Sequence, residues 1–298
     1  MASPPSAAHL TRLRQRAETL ADRLPPLLVA AERVASTVAQ GVHGRRRVGV
    51  GETFWQFRPY QQGDPSTRID WRQSARSQQL FLRDQEWEAA ESVWLWCDAS
   101  ASMDYASAAR LPSKEDRATL LVLALGSLLT RAGERIALLG DQRRPIGGRI
   151  GMATLGERLL ARPVPGPSLP PPQPLPRHAR MVLISDFFIP PVELRDRLRQ
   201  FVAMGIRGHL LQVLDPAEPA LPYAGRVRFE GVEQDGTMLI GNVDGIRQRY
   251  RNRLEAHQQA LRDLARSLGW TFASQVTDQP PEPALLALYT ALATKVQG

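Results

Sequence analysis

The chain has 298 residues, 43% hydrophobic and 23% charged, which is the balance of a folded globular protein and not of a disordered one. Its formal net charge of +8 is almost wholly arginine, since Lys114 and Lys295 are the only lysines. Runs such as Arg195-Asp196-Arg197 and Arg262-Asp263 interleave that charge with acid, which describes solvated helix faces and argues against a nucleic-acid partner. No membrane span is expected, because the longest apolar stretch, Ala118 to Leu129, contains Gly126 and Ser127 and is shorter than the roughly 20 residues needed. Pro4, Pro5 and His9 stand where a signal peptide would be continuously apolar, so a cytoplasmic location is expected.

In chain order, residues 1–40 read as a helical lead-in broken at Pro25 and Pro26. Residues 41–90 carry Phe54, Trp55, Phe57, Tyr60, Trp71, Phe81 and Trp87 with a turn at Gln62-Gly63-Asp64-Pro65, which predicts a small β-rich unit. From residue 91 to 298, strands alternate with helices. Strands are predicted over Ser92–Cys97, Arg135–Leu139, Arg180–Ser185, His209–Leu214 and Trp270–Ser274. Helices are predicted over Arg117–Arg131, Val192–Met204, a long segment through Ile246 and Leu268, and Pro283–Ala293. Such alternation makes this an α/β domain, a Rossmann-type parallel sheet with helices on both faces. Arg226–Ile240 predicts an inserted hairpin turning at Asp235-Gly236. Residues 162–176 are too rich in proline for helix or sheet and predict an extended linker. The lone Cys97, inside an apolar run, fits a small buried side chain and excludes an intrachain disulfide.

The motif with chemical content is Asp98-Ala99-Ser100-Ala101-Ser102, placed directly after the first strand of the α/β domain. Open parallel sheets bind ligands outside the carboxyl ends of their strands. A carboxylate and two hydroxyls spaced by two supply hard oxygen ligands at that edge, and Asp186 ends the strand Arg180–Ser185 in the same way. Asp98, Ser100, Ser102 and Asp186 are therefore candidate ligands of Mg²⁺ or Mn²⁺. Two carboxylates meeting at one point require a cation or a proton between them.

Asp98-x-Ser100-x-Ser102 followed by Ile184-Ser185-Asp186 resembles the metal-ion-dependent adhesion site of von Willebrand A-like domains. Upstream, Gly49-x-Gly51, Phe54, Arg58, Tyr60, Gly63-Asp64, Arg68, Asp70-Trp71 and Ala75-Arg76 resemble the signature of the bacterial domain-of-unknown-function family fifty-eight. Leu214-Asp215-Pro216, Glu218, Ile246-Arg247 and Tyr250 extend the resemblance over nearly everything after about residue 41. The resemblance implies a von Willebrand A-like fold, association with MoxR-type AAA+ ATPases, and a role in chaperone or assembly work. Adhesion sites of this kind add a threonine from an intervening loop, where this chain offers only Ser168, with Thr154 earlier at a predicted helix start.

The implied function is non-enzymatic protein binding, with a MoxR-type ATPase or its client as partner. Arg58, Arg68 and Arg72, interleaved with Asp64, Asp70 and Trp71, form a second and weaker partner-binding candidate, although their balanced charges more readily make a structural network. A metal-dependent hydrolase is the alternative enzyme reading. It lacks a second aspartate at position 100 to act as general acid, and the five histidines are scattered.

Overall fold

The computed structural model describes residues 54–59, 81–85, 92–141, 143–163, 165–177, 179–231 and 236–293, with Arg33, Ala35 and Ser74. The chain divides into two compact units, Gln40–Ala90 and the remainder, Met1–Ala39 with Glu91–Gly298. In the smaller unit β1 (Phe54–Pro59) pairs antiparallel with β2 (Phe81–Gln85). Of the expected lead-in, Arg33 and Ala35 are helical. The rest of it lies outside the described residues, as do Gly49, Gly51 and the turn at 62–65.

The larger unit is built on β3 (Ser92–Cys97), β4 (Arg135–Leu138), β5 (Arg180–Ser185), β6 (Arg207–Leu214) and β9 (Thr271–Val276). They form one parallel sheet in the order β4-β3-β5-β6-β9. A separate hairpin joins β7 (Val227–Glu230) to β8 (Thr237–Ile240). The helices are α1 (Lys114–Arg131), α2 (Gly148–Ala161), α3 (Pro191–Ala203), the single turn α4 (Ala217–Ala220), α5 (Asp244–Ser267) and α6 (Glu282–Ala293).

Strands buried on both faces must be apolar throughout, and β3 and β5 meet that demand. Trp94, Trp96, Met181, Leu183 and Leu210 share one core with Leu194, Leu198 and Phe201 of α3 and Leu261 and Leu264 of α5. The alternate residues Val93, Leu95, Val182, Ile184, Leu211 and Val213 are also buried. They point to the opposite face, where α1 packs against β3, β4, β5 and β6. Cys97 is buried and free, and burial pushes its thiol pKa up.

The expected strands are all present, within two residues at each end. Helix α1 starts three residues before the predicted Arg117, because Ser113 Oγ accepts the Asp116 amide at 3.1 Å and caps it. Helix α2 enters the sequence reading only as a helix start at Thr154, six residues late: Gly148, Gly151 and Gly156 weaken its helical signal, and packing holds it. A Cβ at Gly126 would stand 2.8 Å from Leu155 Cδ2, so a glycine there lets α1 and α2 approach. Gly208 on β6 is more constrained, since its Cβ would meet the Trp270 ring at 2.2 Å. Gly208→Ala is expected to cost about 1–3 kcal/mol or more of unfolding free energy, read from denaturant midpoints. An unchanged midpoint would show that the ring can move aside.

Candidate binding site at the carboxyl edge of the sheet

Chain connections leave β3 and β5 in opposite directions, through α1 to β4 on one side and through α3 to β6 on the other. The crevice between their carboxyl ends is therefore the topological switch point of the sheet. Parallel pairing puts Asp98 and Asp186 at this same edge, and the Asp98 amide donates to the Ile184 carbonyl at 2.9 Å.

Asp98 is fully buried. Its Oδ1 accepts the Ser100 amide at 2.7 Å and its Oδ2 accepts Ser185 Oγ at 2.6 Å. Burial pushes its carboxyl up to about 6, against the pull of these hydrogen bonds. The Ser100 and Ser102 hydroxyls lie 3.2 Å apart across the short 3₁₀ turn Ala101–Met103. Asp186 Oδ1 accepts the Phe188 amide at 3.1 Å. Its Oδ2 meets Lys114 Nζ at 2.8 Å.

Lys114 is the residue the motif reading missed. It opens α1, is 1% exposed, and also places Nζ 2.6 Å from Glu218 Oε1. The ammonium lies 5.1 Å from the Phe188 ring centroid and 5.9 Å from that of Tyr105, within range of a cation–π attraction. Burial alone would lower its pKa, but Asp186 and Glu218 outweigh burial and hold it above the ordinary lysine value. Glu218 is in turn fixed through Oε2, which accepts the Asp215 amide at 2.8 Å. Buried Asp215 accepts the Ser107 and Ala217 amides. The sequence did carry one signal: Lys114 is one of two lysines in a chain that otherwise uses arginine. A compact point charge satisfies two carboxylates in a tight space where a planar guanidinium does not.

A second layer holds the β5 turn. Phe187 is buried with a left-handed φ of 51°, a conformation that costs a bulky residue strain. His257 Nε2 lies 2.8 Å from its carbonyl. Gln212 Nε2 donates to the Asp186 carbonyl at 2.9 Å, and Gln258 Nε2 to Gln212 Oε1 at 2.9 Å.

A hard divalent ion needs several free oxygens at about 2.1 Å. The structure brings Asp98, Ser100, Ser102 and Asp186 together, yet each oxygen of the two carboxylates already has a donor within 3.1 Å, one of them an ammonium. Among the described residues no group of three or more His, Cys, Asp or Glu could hold a metal ion. In this arrangement the residues do not fit Mg²⁺ or Mn²⁺.

The cluster floors an open cleft of about 530 Å³. Tyr105, Phe188, Tyr223, Phe229 and Tyr250 line it, together with Ser102, Ser168 and the hairpin residues Val227 and Arg228. The proline-rich segment has no regular structure, as expected, but it is tied down and not a free linker. The Gly166 amide donates to the Ala99 carbonyl at 2.7 Å, Gln173 bonds Gly140 and Asp141, and Arg197 bonds the Pro170 carbonyl. That anchoring delivers Ser168 to the cleft, while Thr154 sits within α2. In the smaller unit Arg58 lies on β1. Arg68 and Arg72 lie outside the described residues.

A doubly wound α/β domain with a hydroxyl–carboxylate–ammonium cluster at its switch point is the class of protein defined here. The chain belongs to the family described as protein of unknown function DUF58, whose model matches residues 56–260. Relatives include the uncharacterized protein Rv1480 of Mycobacterium tuberculosis and Mb1516 of Mycobacterium bovis. Each is 26% identical over 279 residues, covering 87% of this chain and 86% of the relative. Among solved structures, BatB from Bacteroides thetaiotaomicron is 15% identical over 69% of this chain and all of its own, with a TM-score of 0.38. An aerotolerance-related membrane protein from Bacteroides fragilis is 14% identical over 68% of this chain and 99% of its own, with a TM-score of 0.40.

The expectation of a cytoplasmic location is corrected here. It rested only on missing apolar segments, which assign no location; the Bacteroides fragilis structure is described as that of a membrane protein and one from Vibrio fischeri as that of a membrane-spanning protein, which is said of those proteins. Among the described residues no helix is long and apolar enough to cross a membrane, and that fact assigns no location.

Proposed function

We propose that this chain is a non-enzymatic, von Willebrand A-like protein-binding module. Its recognition surface is the cleft at the β3–β5 switch point, and its partner is a MoxR-type AAA+ ATPase or that ATPase's client. The observation that carries the reading is the cleft itself, an aromatic and hydroxyl-lined concavity set over a hydrogen-bonded floor. Tyrosine and phenylalanine anchors in a concave site are what protein interfaces concentrate. The hairpin beside it leaves Met238 and Leu239 exposed on β8, and Phe188 is partly exposed at the rim, a distribution suited to a protein contact. Catalysis is disfavoured by how the bases are used: His257 faces the Phe187 carbonyl, His209 pairs with Thr271 Oγ1 at 2.6 Å, and Lys114 is held as an ammonium.

The test is co-expression with a MoxR-type ATPase, affinity purification and quantification of the ATPase retained. Tyr250→Ala or Phe229→Arg is expected to lower retention by about tenfold or more, and Arg72→Ala by much less. A larger effect from Arg72→Ala would move the contact to the smaller unit. Failure of the unaltered chain to retain the ATPase would remove it as the partner.

A further inference from the structure

We propose that Lys114 is the resident cation of this site, so that the adhesion-type motif works here without a divalent metal. Three observations converge on one atom. Lys114 Nζ stands 2.8 Å from the carboxylate of Asp186, the residue directly after β5 and opposite the Asp98-x-Ser100-x-Ser102 turn, and 2.6 Å from Glu218. Its side chain is 1% exposed, and Phe188 and Tyr105 flank the ammonium with their rings. The remaining carboxylate oxygens are satisfied by Ser185 Oγ and by the amides of Ser100, Phe188 and Asp215. A buried ammonium between two carboxylates needs such pairing to persist, and here the chain supplies it from α1, β5 and α4.

Charge accounting agrees with this assignment. The charged residues lining the cleft are Lys114, Asp186, Glu218 and Arg228, two of each sign, while the buried Asp98 and Asp215 beneath them are met by Ser185 Oγ and by backbone amides. An added divalent ion would have to displace Lys114 from Asp186 or stand directly beside its ammonium. A metal-bridged site offers its partner an open coordination position. This one offers hydroxyls and aromatic faces, so the contact is not a carboxylate–metal bridge. The assignment concerns the site alone and stands or falls independently of whether the ATPase binds.

The experiment is a Mn²⁺ titration of the full chain at constant ionic strength, followed by the electron paramagnetic resonance signal of the free ion and by the thermal midpoint. The unaltered protein is expected to leave both unchanged. Lys114→Ala, which strips the ammonium from Asp186 and Glu218, is expected to retain Mn²⁺ and to gain about 5 °C at saturation. Retention of Mn²⁺ by the unaltered protein, lost in Asp186→Asn, would overturn the proposal. So would a folded Lys114→Ala protein that ignores the ion. If Lys114→Ala does not fold, the unaltered protein and Asp186→Asn decide the matter between them.

Discussion

Lys114→Met is expected to lower the unfolding free energy by about 3–5 kcal/mol, because it leaves buried Asp186 and the largely buried Glu218 without their counter-charge. Methionine keeps the unbranched stem, so the loss reports the charge and not the packing. Urea denaturation measures it, with a lower midpoint and an unchanged slope. Adding Asp186→Asn to the same chain is expected to recover a large part of the loss, since it removes the more buried of the stranded carboxylates. Additivity of the two substitutions would mean that the ammonium and Asp186 do not depend on each other.

The second large effect is a pair of opposed pH dependences. Asp98 has its pKa raised by burial from 3.8 to about 6, so the folded state holds this proton where the unfolded state has released it. The stability it contributes is complete below the unfolded value and is lost as pH rises through about 6. Just over two pH units corresponds to about 3 kcal/mol. His209 has its pKa lowered from 6.5 to about 4 by burial and by the nearby Arg180 charge. Its contribution, also about 3 kcal/mol, is complete above 6.5 and is lost as pH falls through about 4. The two slopes oppose each other between pH 4 and 6. Relative to the unaltered protein, Asp98→Asn is therefore expected to gain stability as pH rises across that window, and His209→Gln to gain it as pH falls. Parallel stability profiles would show that neither group is perturbed as described.

Much of the larger unit is legible in the sequence because its strands are buried on both faces and so are written as uninterrupted apolar runs, Ser92–Cys97 and Arg180–Ser185 above all. Their last residues locate the site, since a polar residue directly after such a run must stand at the sheet edge. Helix α2 is legible only from about Thr154 because glycines at 148, 151 and 156 give its first turns little intrinsic preference, and packing against α1 and β4 holds it. Lys114 is illegible for a different reason. Its two carboxylates lie 72 and 104 residues away in sequence, so its role exists only once α1, β5 and α4 have met. The motif alone states that charge balance is needed between two carboxylates. Tertiary structure decides that an ammonium provides it.

The central claim, a resident ammonium at the switch point, is tested most directly by nuclear magnetic resonance of the protein labelled with ¹⁵N and ¹³C only in lysine. The chain has two lysines, and Lys114→Met assigns the spectrum. The expected result is a Lys114 ammonium with slowly exchanging protons, still charged above the pH at which an ordinary lysine titrates, and with the same line width before and after Mn²⁺ is added. A rapidly exchanging Lys114 signal that titrates normally and is broadened by stoichiometric Mn²⁺ would contradict it.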